Sequence, residues 1–100
     1  PYQIQGVSLN AALQVKRGAV LPYSVNIQGA DGSVDHVLRI EVLDPRNREP
    51  ICYQQNVLAV KGRYQGRLPI ALNDPVGRWQ IKVTDVISGK VTATDVRVQE

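Results

Sequence analysis

A chain of 100 residues, 43% of them hydrophobic, has room for one domain with one modest core. Its 12 basic and 9 acidic side chains give a net charge of +3 with no run of either sign, which excludes the clustered Lys and Arg footprint of a nucleic-acid-binding surface. The single cysteine, Cys52, excludes an internal disulfide, and no apolar run approaches the roughly 20 residues of a membrane span, so no membrane insertion is expected.

The chain opens on Pro1 and contains no Met, and it ends bluntly at Gln99-Glu100. The expectation is one domain over residues 1–100, excised from a larger protein. Tyr2, Ile4 and Gly6 alternate weakly, as in a linker settling into an edge strand. Val7, Leu9, Ala11, Leu13 and Val15 then alternate with Ser8, Asn10, Ala12 and Gln14, which predicts one continuous strand closed by a turn at Lys16-Arg17-Gly18. From Val20 to Gln28 the inward set is Leu21, Tyr23, Val25 and Ile27. Asp31-Gly32 is a hairpin signal, because both residues tolerate positive φ.

Asp35 to Leu43 reads as the next strand, with Leu38, Ile40 and Val42 inward and Val37, Arg39, Glu41 and Leu43 outward. Asp44-Pro45-Arg46-Asn47 is a turn in which Asp accepts backbone hydrogen bonds and Pro presets φ. Ile51 and Tyr53, then Val57, Leu58 and Val60, give short or irregular strands up to Lys61-Gly62. Tyr64 to Ile70 is a further strand. Asn73-Asp74-Pro75-Val76-Gly77 fits a type I turn with Asp74 first and Gly77 last. It leads into Arg78 to Asp85, where Trp79, Ile81 and Val83 share the buried face. Ser88-Gly89 makes the final hairpin, and Val91 to Val98 is the last strand. There Val91 and Ala93 lie on one parity and Val96 and Val98 on the other, so a bulge near Asp95 is expected.

Turn signals near residues 17, 31, 45, 62, 75 and 88 space short strands in the manner of a sandwich, and no segment keeps a helical period. The expected fold is an all-β, immunoglobulin-like antiparallel β-sandwich of about seven strands.

The segments His36 to Pro45, Leu68 to Trp79 and Val83 to Gly89 together resemble a bacterial accessory sandwich domain. They are similar to the domains that end large exported bacterial proteins related to the β-galactosidase trimerisation-domain group. More distantly they resemble bacterial immunoglobulin-like and macroglobulin-type modules, in which a polar entry through Asn73-Asp74-Pro75, Gly77 and Trp79 precedes a strand and an Asp85 to Gly89 hairpin follows it. The resemblance spans His36 to Gly89 and rests on turn chemistry, so it implies a fold, a place beside other domains, and an extracytoplasmic setting: periplasmic, cell-surface or secreted.

Chemistry is sparse. Cys52 and His36 are the only nucleophile and base of a thiol pair, and both fit better as ordinary residues, a packed thiol and a surface imidazole. One His and one Cys do not make a zinc site. Asp44, Asp74 and Asp85 lie in or beside turns and read as turn or cap residues, not as a glycosidase pair. Asp31, Asp74 and Asp85 could gather calcium, but the dense Asp/Asn loop that calcium favours is missing. No cofactor is expected. The expected role is a non-catalytic spacer or docking module, with Val37, Leu43 and the Arg39 to Arg48 region contacting neighbouring domains of the parent chain. The alternative is a polysaccharide-binding module, with Tyr53 and Tyr64 side by side as sugar platforms and Gln54 and Gln55 as hydroxyl partners.

Overall fold

The computed structural model describes residues 6–28, 35–49, 53–86 and 88–100. Eight strands form two sheets: β1 (Gly6–Ala11), β2 (Gln14–Lys16), β3 (Val20–Gln28), β4 (His36–Leu43), β5 (Gln55–Ala59), β6 (Arg63–Pro69), β7 (Gly77–Asp85) and β8 (Val91–Gln99). One sheet has the order β1-β3-β6, the other β2-β8-β7-β4-β5. All pairs are antiparallel except β2 with β8, which is parallel. This is the immunoglobulin-like sandwich expected from the turn spacing. The weak strand at Tyr2 and Ile4, the Asp31-Gly32 hairpin, Ile51 and Cys52 lie outside the described residues.

The alternating positions build the core. Leu21, Tyr23, Val25 and Ile27 of β3 face Leu38, Ile40 and Val42 of β4 and Trp79, Ile81 and Val83 of β7, all buried. Each is every second residue of its strand, so one face of each sheet meets the other, as sandwich packing requires. Trp79 is almost fully buried and its Nε1 donates to the Pro75 carbonyl at 2.9 Å, so the ring is buried without stranding its N–H. Tyr23 lies over Gly66, its partner across the β3–β6 ladder. A Cβ on Gly66 would come within 2.3 Å of the Tyr23 ring, so this position has to be glycine.

Four expectations change. The strand read from Val7 to Val15 is two: β1 pairs with β3 in one sheet and β2 with β8 in the other, the chain crossing at Ala12 and Leu13. Val7, Leu9 and Ala11 pack on the core and Val15 is buried, but Leu13 sits at the crossing and is exposed. Alternation runs through the crossing, which is why the sequence hides it. The last strand has no bulge: β7 and β8 pair without a break from Gly77↔Val98 to Thr84↔Val91. Thr92, Thr94, Val96 and Val98 therefore share the inner face, with Val91 and Ala93 outside. The hydrogen-bonded turn before Trp79 lies earlier than expected, with the Asp74 N–H on the Ala71 carbonyl at 3.1 Å. Finally, His36 is buried, not on the surface, because it continues the inward parity of Leu38 and Ile40.

Candidate functional site

The residues expected to bind sugar each have a partner within the fold. Tyr53 stands before β5, edge-on to Trp79 with ring centroids 5.9 Å apart, and its hydroxyl donates to Asp74 Oδ2. Tyr64, on β6, packs against Tyr23 at 6.1 Å. Tyr53 lies outside both sheets, against Trp79 and Asp74, while Tyr64 lies on β6 of the three-stranded sheet, so the two rings do not stand side by side on paired strands. Gln54 works as a piece of strand: its Nε2 donates to the Val42 carbonyl at 2.8 Å while its Oε1 accepts the Val42 N–H at 3.0 Å. The amide thus extends the β4 ladder just before β5 begins. Gln55 is on the inward parity at the exposed edge of β5, where its side chain hydrogen-bonds Tyr23. Burial, with Tyr64 as a secondary cause, pushes the Tyr23 hydroxyl up from 10.0 to about 12, and the Gln55 bond offsets part of this.

The acids divide in the same way. Asp44 Oδ1 accepts the N–H groups of Arg46 and Arg48, each at 2.9 Å, and Oδ2 takes the Arg48 Nε at 3.0 Å. Burial alone would raise its carboxyl; the N–H donors of Arg48 and Arg46 and the Arg48 guanidinium outweigh it and hold the group below the usual carboxylate range. Asp74 Oδ2 accepts the Ala71 N–H at 2.8 Å. Both behave as turn residues, as their sequence context implies.

Asp85 is different. Fully buried at the end of β7, it accepts the Ser88 hydroxyl at 2.8 Å on Oδ2, the oxygen that lies 3.5 Å from His36 Nδ1. Serine, histidine and aspartate are the components of a nucleophilic relay, but there the imidazole stands between carboxylate and hydroxyl. Here the carboxylate stands between the other two and holds the Ser88 hydroxyl itself, which is not the order of that relay. The group tethers the last hairpin to the core. Asp74 and Asp85 lie at opposite ends of β7, whose nine residues span about 30 Å, so the trio considered for calcium is not assembled. Asp31 and Cys52 are outside the described residues.

What the molecule presents outward is a surface. On the outer face of the five-stranded sheet, Leu58 is opposite Val37 in the β4–β5 ladder. The Val86 N–H donates to the Val37 carbonyl at 3.0 Å, placing Val86 on Val37's other side. Leu58, Val37 and Val86 thus form a row across three strands. Val60 follows on the parity of Leu58, and Val91 stands one row along, opposite Thr84. All five are between 39% and 53% exposed. Away from this corner the face is charged: Arg39 meets Glu41 at 3.7 Å, and Arg78 meets Asp95 at 3.9 Å. Leu43 lies six residues from Val37 along β4, about 20 Å, and the Arg48 guanidinium is held by Asp44. Of the residues expected to dock, Val37 lies at this corner while Arg39, Leu43 and Arg48 do not. Leu58 and Val86 were missed, because only the pairing register shows that they flank Val37.

The outer face of the three-stranded sheet is polar. Asn10, Ser24, Gln65 and Arg67 line an open depression of about 580 Å³ there.

No family model matches the chain, and no curated protein matches it. Among solved structures, it is similar to the CARDB domain of a Pyrococcus furiosus protein, crystallised in complex with di-metal ions: TM-score 0.60, 14% identity, 93% of this chain and 85% of that one covered. At that identity the likeness shows the fold alone, a β-sandwich, and does not reach the narrower group related to the β-galactosidase trimerisation domains.

Proposed function

We propose that this chain is a non-catalytic structural and interaction module, a spacer or docking domain of a larger exported bacterial protein, which contacts a neighbouring domain through the apolar corner of its five-stranded sheet. The observation that carries the reading is the row Leu58, Val37 and Val86, extended by Val60 and Val91: five aliphatic side chains gathered at one end of an otherwise charged face. Contiguous exposed apolar surface of this kind marks a contact site, whereas scattered single residues do not. The groups that could do chemistry support it from the other side, since Asp44, Asp74 and Asp85 each hold a turn. Export and a bacterial parent rest on the resemblance of the His36 to Gly89 segments to accessory domains of exported bacterial proteins.

The polysaccharide alternative is the weaker reading, because Tyr53, Tyr64, Gln54 and Gln55 each have a partner within the fold and the two tyrosines do not stand side by side. Nor are the neighbour's metal ions carried over. Among the described residues no group of three or more His, Cys, Asp or Glu side chains could hold one.

The test is the double variant Val37→Lys, Leu58→Lys placed in the parent protein. The isolated domain should keep its thermal midpoint, because both side chains already face water. The parent should become more sensitive to limited proteolysis at the junction beside this domain. Unchanged proteolysis of the parent would dismiss the apolar corner as a docking surface.

A further inference from the structure

The sheet edges are not equally protected. Edge strands expose backbone groups that can pair with another chain, and natural proteins guard them with charge, proline, brevity or cover. β6 carries Arg63, Arg67 and Pro69. β2 is three residues long and includes Lys16. β1 lies against β8, its chain continuing into β2 beside that strand. Among the described residues β5 has none of these devices. It ends the five-stranded sheet, and Gln55-Asn56-Val57-Leu58-Ala59-Val60 contains no charge, proline or glycine.

We infer that β5 pairs antiparallel with β5 of a second copy of this chain, about a two-fold axis at Leu58. The register follows from the side chains. With Leu58 opposite Leu58 of the second copy, Val57 meets Ala59 and Asn56 meets Val60, beyond which the chain turns away at Lys61. No like charges face each other. The row already present in one copy then continues across the axis: Val86, Val37 and Leu58, then Leu58, Val37 and Val86 of the second copy. Six aliphatic side chains line up on one face of a ten-stranded sheet, at the usual strand spacing of about 4.8 Å. A two-fold axis uses each β5 edge once, so the assembly closes at two copies. This goes beyond the docking role, because pairing consumes the edge of the strand and leaves the outer face open to a neighbouring domain.

Sedimentation equilibrium of the chain tests the pairing. A short edge contact is a small interface, so the expected change is from mostly monomer at about 10 μM to mostly dimer at about 1 mM. Leu58→Lys sets two ammonium groups face to face on the axis and should weaken association about tenfold or more. Asn56→Lys, exposed on the same edge, should also weaken it. Val91→Lys removes an aliphatic side chain from the same face away from the edge and should leave association within about twofold of the original. An isotope-filtered NOE between Leu58 methyl groups of two copies would fix the register. A monomer at about 1 mM overturns the pairing, as does growth beyond a dimer. Equal weakening by Val91→Lys and Leu58→Lys overturns it too, since that would mean face-to-face association. The docking role is tested separately, by proteolysis of the parent protein, and stands or falls there.

Discussion

Tyr23 shows how one side chain ties the two sheets to solution conditions. Its ring is buried over Gly66, and its hydroxyl is pushed from 10.0 to about 12, first by burial and then by Tyr64. The folded state therefore keeps this proton where the unfolded chain gives it up. The stabilising contribution is complete below pH about 10 and is lost as the pH rises toward about 12. Denaturant titrations across that interval should show stability falling with pH, and Tyr23→Phe should flatten the fall; an equally steep fall in the variant would remove Tyr23 as its source. The core role of Tyr23 was legible from parity alone. The partners of Gln54 and His36 were not, because a clamp on Val42 and a contact with Asp85 depend on which strands lie side by side. Asp44 was legible down to its hydrogen bonds, since an Asp-Pro turn is local chemistry.

At the scale of strands, β7 is the test of the packing argument. Trp79 contacts Tyr53 edge-on and is almost fully buried. Trp79→Ala should cost about 3–5 kcal/mol in denaturant unfolding, and a loss below about 1 kcal/mol would contradict its burial in the core. Strands with one clean parity, β3, β4 and β7, matched their sequence reading nearly residue for residue. The misreadings fell where parity carries two meanings. Val7 to Val15 alternates through a change of sheet, because β1 and β2 both turn the same parity inward. In β8 the apolar residues occupy both parities, and Thr92 and Thr94 take the inner positions that Val91 and Ala93 were expected to share with Val96 and Val98 through a bulge. A threonine keeps a methyl group for the inner side, so the polar letter misleads.

For the whole molecule, the sandwich and its turn-bound acids were readable from the sequence, while the docking corner was not, because a row across strands exists only after register is fixed. The parallel pairing of β2 with β8 matters beyond the count of strands. Tension applied between the start and the end of the chain draws β2 toward its own beginning and β8 toward its own end, and these directions are opposed along parallel strands. The Gln14↔Arg97, Val15↔Val98 and Lys16↔Gln99 pairs are then loaded in shear and must fail together, unlike a ladder unzipped one rung at a time. A spacer under traction gains from that geometry. Single-molecule stretching should give a distinct rupture peak, and Val15→Pro, which cannot donate to the ladder, should lower it; an unchanged peak would place the mechanical clamp elsewhere in the fold.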